Sequence, residues 1–90
     1  MDWWKKLFSG VREKSLDGAM YQVVTTLYSR DGKRSAEIRD FDNGHTYLLE
    51  SEWVKGTKFK KRHEGRMVGP CRSPKHAEQC IISTAWFTED

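Results

Sequence analysis

The sequence is poor in cysteine and proline and contains no long apolar run. Its two cysteines, Cys71 and Cys80, are too few to build a disulfide-framework domain. No stretch approaches the roughly 18 to 20 apolar residues that cross a bilayer, and residues 1–10 lack the apolar core and cleavage site of a signal peptide. These absences predict a cytoplasmic protein with free thiols, and a bridge between Cys71 and Cys80 is the weaker alternative.

The sequence also lacks the motifs by which common catalytic and cofactor sites are recognised. It has no Gly-rich phosphate loop, no pair of carboxylates at catalytic spacing and no catalytic triad in any of the usual orders. We therefore predict a protein that is not an enzyme, with no catalytic residue, no cofactor and no small-molecule substrate.

Four residues of the types that bind zinc fall in the last third of the chain: His63, Cys71, His76 and Cys80. His76 and Cys80 are four residues apart, which places them on one face of a helix. The other intervals match no usual zinc knuckle, and Cys80 belongs to an apolar stripe in which a thiol packs as a small hydrophobe. The sequence therefore predicts no metal site.

The sequence is rich in aromatic residues, and its charge is distributed unevenly along the chain. Four Trp, four Phe and three Tyr in 90 residues, with 37% hydrophobic and 32% charged side chains, indicate one folded domain over residues 1–90. The segment 55–75 carries eight basic side chains and one acidic side chain, a formal +7, whereas the rest of the chain carries −4. Charge segregated in this way attracts polyanions or acidic proteins.

Residues 1–16 have the apolar spacing of an amphipathic helix. Asp2 can cap it, and its apolar stripe consists of Trp3, Trp4, Leu7, Phe8 and Val11. We predict that this helix packs on the domain, because amphipathic helices cover sheets in α+β folds. Two weaker alternatives are contact with a membrane surface through Trp3, Trp4, Leu7 and Phe8, and docking in a groove of a partner.

Residues 20–68 show the two-residue period and the turn pairs of an antiparallel sheet. Asp31-Gly32 and Asn43-Gly44 are both dipeptides that favour two-residue hairpin turns. The predicted strands are 21–28, 33–41 and 45–54, with a fourth edge strand at 57–62 or 66–68. A basic arm that leaves the sheet is the alternative to the fourth strand, whose lysines suit an exposed edge.

The two turn pairs also predict a register. The first turn places Leu27 opposite Ala36, and the second places Ile38 opposite Leu49. One face of the sheet then carries Val23, Thr25, Leu27, Ala36, Ile38, Tyr47 and Leu49. The opposite face, left open to solvent or to a partner, carries Gln22, Thr26, Tyr28, Glu37, Arg39, Thr46, Leu48, Glu50 and Glu52.

A second helix is predicted over residues 73–87, with Ser73 as its cap and Pro74 at its first position. The predicted fold is an α+β two-layer sandwich. Its antiparallel meander of three or four strands is covered on one face by the N-terminal and the C-terminal helix.

Two functions compete on this sequence. In the first, the protein binds nucleic acid, with phosphate contacts from Lys55, Lys58, Lys60, Lys61, Arg62, Arg66, Arg72 and Lys75. Stacking or partner contacts are predicted for Tyr28, Tyr47, Trp53 and Phe59. In the second, it is an accessory or inhibitor protein that binds an acidic surface of another protein through its open sheet face.

Overall fold

The computed structural model describes the backbone of residues 3–7, 12–14, 18–55 and 59–88, and the side chains of the last two ranges. The elements in chain order are β1 (Trp3–Leu7), β2 (Arg12–Lys14), β3 (Met20–Ser29), β4 (Arg34–Phe41), β5 (Thr46–Trp53), β6 (Phe59–Lys61), β7 (Val68–Cys71), α1 (Pro74–Ile82) and α2 (Ala85–Thr88).

The strands form one antiparallel sheet with a meander of β3, β4 and β5 at its centre. Each outer position is filled by two short strands: β1 and β2 both pair with β3, whereas β6 and β7 both pair with β5. The predicted α+β class and antiparallel meander are therefore confirmed. The sheet is wider than the three or four strands predicted, because both edges of the meander are paired.

The predicted N-terminal helix is wrong for the described residues of that segment. Residues 3–7 and 12–14 are strands along β3, with Trp4 opposite Tyr28 and Arg12 opposite Gln22. The remaining residues of the predicted helix lie outside the described residues. The free edge of β3 offers a row of backbone hydrogen-bonding partners, and tryptophan favours strands. A helix as short as the predicted one is only marginally stable by itself, so pairing with β3 prevails over the helical pattern of the sequence.

The β3–β4 hairpin has the predicted register, with Leu27 opposite Ala36. Gly32 has a φ of 74° and donates its N–H to the Ser29 carbonyl at 2.9 Å. The Asp31 carboxylate accepts hydrogen bonds from the Ser29 hydroxyl at 2.7 Å and from the Lys33 N–H at 2.9 Å. These local bonds hold the turn in place, so this part of the register follows from residues next to it.

The β4–β5 register differs from the prediction by one residue, since Ile38 lies opposite Leu48 and not Leu49. The loop has three residues, Asp42 to Gly44, closed by the Phe41 N–H to the His45 carbonyl at 2.9 Å. Gly44 has a φ of 88°, as the last residue of a three-residue hairpin loop requires. A shift of one residue turns every side chain of β5 to the other face.

The main core lies between the sheet and α1 and α2. It contains Leu27, Ala36, Ile38, Leu48, Cys71, Ala77, Ile81 and Phe87. α1 begins as predicted: Pro74 is its first residue, and the Ser73 hydroxyl accepts the His76 N–H at 3.1 Å. The predicted single helix over 73–87 is interrupted, because α1 ends at Ile82 and α2 begins at Ala85.

The second face of the sheet is not the open surface that the sequence predicted. A bulge between Val23 and Thr25 brings Val23 onto this face, where it forms a buried cluster with Tyr21 and Phe41. Thr26 and Leu49 are buried as well. Leu48, predicted on this face, is instead 1% exposed in the main core. Among the described side chains of this face, exposed aromatic rings lie near the end of β5, at Trp53 and Phe59.

Candidate functional site

The basic segment lies along the outer edge of β5. β6 pairs with the end of that strand, with Trp53 opposite Phe59, and β7 pairs with its start, with Thr46 opposite Cys71. From Thr46 to Trp53, β5 advances seven residues, which is about 24 Å at about 3.4 Å per residue. We call residues 59–75 the basic edge. The sheet thus places the cations on one side of the molecule, but spreads them over its length.

The cations of the basic edge and its flanks form two groups. Lys55, Lys60 and Lys61 lie beside the end of β5, and all three are exposed. Arg72 and Lys75 are exposed at the other end, where β7 leads into α1, and Arg66 lies between the groups. Lys58 lies outside the described residues. Charges about 24 Å apart are beyond a Debye length of about 8 to 10 Å, so the groups act separately.

Three aromatic side chains meet at the end of the sheet near the first group of lysines. The Phe59 ring lies 5.8 Å from the Trp53 ring and 6.3 Å from the Tyr28 ring, edge to face in both cases. Trp53 is 45% exposed and Phe59 is 37% exposed. We call Tyr28, Trp53 and Phe59 the aromatic group.

Lys61 lies on the same sheet face as the aromatic group. The register places Tyr28, Ser35, Ser51 and Lys61 in one row across four strands. Ser35 and Ser51, which lie between Tyr28 and Lys61 in this row, have small side chains. They leave room over the sheet for the Tyr28 ring to approach the Phe59 ring. The result is an exposed aromatic surface with an ammonium group beside it.

Tyr47 lies apart from the aromatic group. Its ring contacts Phe41 at 5.4 Å and His45 at 6.3 Å, and it packs against the buried cluster of the second face. Six residues of β5 separate Tyr47 from Trp53, a distance of about 20 Å. The structure does not bring this predicted stacking residue together with the other three.

Arg62 makes internal contacts that the sequence did not predict. Its guanidinium donates to the Glu50 carboxylate at 2.8 Å and lies 4.3 Å from the centre of the Trp86 ring. Glu50 is only 4% exposed, and the His63 ring nitrogen Nε2 lies 3.0 Å from the same carboxylate oxygen. The one-residue shift in β5 is what turns Glu50 to the sheet face of the main core, opposite Ala36.

A tight turn positions these groups. His63 and Glu64 have φ values of 53° and 58°, and Gly65 follows with 86°. Consecutive non-glycine residues in the left-handed region cost about 1–2 kcal/mol each. The contacts of Arg62 and His63 with Glu50 offset that cost. The turn separates β6 from β7 and carries Arg62 toward the core.

Carboxylates reduce the field of the basic segment. Glu50 neutralises Arg62, Glu52 lies directly opposite Lys60 on β5, and Glu64 lies in the turn. Counted with these three acids, the eight cations leave a formal +5. On the sheet face that carries Lys61, β5 and β6 present no carboxylate that would offset its charge.

The residues considered for zinc do not assemble as a set of ligands. His63 contacts Glu50, away from the other three. His76 Nε2 lies 3.5 Å from Cys80 Sγ, and burial raises the pKa of the neighbouring Cys71 thiol. Within the described part of the chain, no group of three or more His, Cys, Asp or Glu side chains is arranged to hold a metal ion.

Comparison with known proteins gives no family assignment: no protein family, curated protein or solved structure matches the chain. Of the two helices between residues 74 and 88, neither is long and apolar enough to cross a membrane.

Proposed function

We propose that this protein is a non-enzymatic nucleic-acid-binding module that prefers single strands and engages them at the aromatic group. The observation that carries the proposal is the exposure of Trp53 and Phe59 beside Lys61 on one sheet face. Burying two large rings would stabilise a small domain, so leaving them in water favours an interaction role. A cytoplasmic location remains a prediction from the sequence.

Exposed rings next to lysines match the chemistry of single-strand recognition. Every base has a π face, and stacking on an aromatic side chain contributes about 1–3 kcal/mol per base with little regard to sequence. In a duplex the base faces are covered by their neighbours, so only phosphate contacts would remain. The aromatic group therefore favours single strands, whereas lysines alone would not discriminate.

The phosphate contacts proposed here are Lys55, Lys60 and Lys61. Arg62 is left out because its guanidinium binds Glu50, and Arg72 and Lys75 are left out because they lie at the far end of the basic edge. Three contacts on a single strand predict that log affinity falls against log salt with a slope of about −2, at about 0.7 per contact. Use of all eight cations would give about −6.

Fluorescence anisotropy of a labelled thymidine oligonucleotide, titrated with the whole chain at several salt concentrations, tests the proposal. Phe59→Ala should weaken binding roughly 5- to 150-fold, the equivalent of one lost stacking contact. A blunt duplex of the same length should bind more weakly than the single strand. Absence of binding to the single strand at low salt would rule the proposal out.

Lys61→Glu and Lys75→Glu make a matched pair, because they change charge equally at opposite ends of the basic edge. Lys61→Glu should weaken binding about tenfold or more, since it replaces attraction with repulsion beside the stacked bases. Lys75→Glu should have an effect below about threefold, since it lies beyond the Debye length. Equal effects would show that the nucleic acid follows the whole edge, in conflict with the site proposed.

A protein partner with an acidic surface is the second candidate. The observation in its favour is that Val54 and Val68 are each 38% exposed beside the aromatic group and along the basic edge. Exposed apolar groups surrounded by cations suit a protein interface as well as stacked bases. A stoichiometric partner that is captured after nuclease treatment, and is lost with Val68→Glu but not with Lys75→Glu, would favour this candidate.

A further inference from the structure

The thiol cluster, which consists of Cys71, His76 and Cys80, lies where β7 packs against α1. Cys80 Sγ is 3.5 Å from His76 Nε2, one helical turn away on the same face. Cys71 directly precedes Arg72, whose backbone N–H donates to the other nitrogen of the same His76 ring at 3.1 Å. Two free thiols and an imidazole are therefore close together around His76, although nothing in the proposed nucleic-acid site uses them.

The backbone determines which nitrogen of His76 faces the sulfur as a donor. The Arg72 N–H donates to His76 Nδ1 at 3.1 Å, so Nδ1 presents its lone pair. In the neutral ring the proton is then on Nε2, the nitrogen that faces Cys80 Sγ. An imidazole N–H aimed at a sulfur stabilises negative charge that develops there.

Burial gives the two cysteines different accessibility. Cys80 is half-buried and can meet a small molecule from solvent, whereas Cys71 is 8% exposed within the main core. Burial, and then the neighbouring Cys80, raise the pKa of Cys71. Cys71 is therefore a protonated thiol at neutral pH, and it must lose this proton before its sulfur can attack.

We propose that Cys71 and Cys80 are a site of reversible oxidation, forming an intramolecular disulfide by exchange with a small-molecule disulfide such as oxidised glutathione, with His76 as a positioning residue. Cys80 loses its proton to solvent and its Sγ attacks one sulfur of oxidised glutathione, so that the S–S bond breaks and one glutathione leaves as a thiolate, which solvent protonates. Cys71 then loses its proton to solvent and attacks Cys80 Sγ, which releases a second glutathione. The protein is oxidised by two electrons, and one glutathione disulfide is reduced to two thiols.

The experiment uses the whole reduced chain incubated with oxidised glutathione, quenched with acid and alkylated with N-ethylmaleimide. Intact mass should show a form that lacks two hydrogens and takes up no maleimide, and peptide mapping should place the bridge between Cys71 and Cys80. The bridge should form at least roughly tenfold faster in the folded chain than in urea, because the fold holds the thiols together.

Variants separate the roles of the three side chains. Cys71→Ser should accumulate a glutathione adduct on Cys80, whereas Cys80→Ser should leave Cys71 unmodified over the same time. His76→Ala should slow the first step roughly tenfold, the equivalent of one charge-assisted hydrogen bond. His76→Gln, which keeps an N–H donor, should recover most of that rate, and equal rates for the two His76 variants would exclude the positioning role.

Three results with the wild-type chain would overturn the proposal, and none depends on a variant that must fold. The reaction could stop at a glutathione adduct on Cys80. It could link two chains through single cysteines. It could also form the internal bridge no faster in the folded protein than in urea, which would show that the thiols are not held together.

Discussion

Replacing Arg62 with alanine tests whether the ion pair at the turn is part of the fold. The change removes a guanidinium that donates to the buried Glu50 carboxylate at 2.8 Å and stacks on Trp86 at 4.3 Å. A hydrogen bond to a charged group contributes about 1.5–3 kcal/mol, and a partly exposed cation–π contact adds about 0.5–1 kcal/mol.

The expected loss of stability lies at the lower end of these figures. Arg62 is 34% exposed, so solvent screens its charge, and His63 continues to contact Glu50 in the variant. We therefore expect Arg62→Ala to lower the free energy of unfolding by about 2 kcal/mol. A domain of this size has about 5–15 kcal/mol of stability, so the variant should still fold.

Urea denaturation, followed by far-ultraviolet circular dichroism and tryptophan fluorescence, measures this loss. Lys61→Ala is the matched control, because it removes an exposed cation next in the chain and should change stability by less than about 0.5 kcal/mol. Arg62→Lys keeps the charge but loses the planar stacking, so it should recover only part of the loss.

A double-mutant cycle with Glu50→Gln isolates the pair itself. The two changes should couple by about 1–2 kcal/mol, since each single change removes the same contact. A loss for Arg62→Ala within the error of Lys61→Ala, or additive effects in the cycle, would refute the account of Arg62 as a structural cation. Arg62 would then return to the candidate phosphate contacts.

Three further predictions concern single positions. A Cβ at Gly69, where φ is 141°, would lie 3.0 Å from the Thr46 carbonyl oxygen, whereas a Cβ at Gly44 would meet nothing within 4 Å. In urea denaturation, Gly69→Ala should therefore lower the free energy of unfolding by at least about 1 kcal/mol more than Gly44→Ala does. Equal losses for the two variants would contradict the close packing at Gly69. Hydrogen bonds from Ser29 and Lys33 hold the pKa of Asp31 below its usual 3.8. The wild type should therefore be more heat-stable than Asp31→Ala above pH 3.8, and this difference should disappear as pH falls through the folded-state pKa of Asp31. A difference in thermal stability that persists in strong acid would refute this. Ser73→Ala should lower the free energy of unfolding by about 1 kcal/mol, because it removes the cap of α1, and an unchanged urea midpoint would contradict that role.

The second hairpin shows why the sheet could be predicted only in part. Asn43-Gly44 suits a two-residue turn, and Asp42 to Gly44 suits a three-residue loop just as well. The dipeptide does not choose between them. The burial of Leu48 against Ile81 and Phe87, which lie more than 30 residues later, favours the three-residue loop. Glu50 turns inward with Leu48, and its partner Arg62 is 12 residues away.

The sequence predicted several residues of the candidate site but not which of them lie together in the fold. The sequence placed Phe59 among lysines and close to Trp53, and both residues lie in the aromatic group. Tyr28 joins them only because the sheet brings β3 near β6, and Tyr47 is carried to the other end by its position in β5. Arg62 could not be separated from its neighbours Lys60 and Lys61, because its partners Glu50 and Trp86 are distant in the chain.

By itself the sequence determined the features whose physical causes lie within a few residues: the strand period of β3, the turn at Asp31-Gly32, and the start of α1 at Ser73-Pro74. Tertiary structure decided whether residues 3–7 pair as a strand, which face β5 presents, and which cations reach solvent. Those outcomes depend on burial and pairing between residues far apart in the chain. Local preferences of similar energy compete there, so only the packed molecule selects among them.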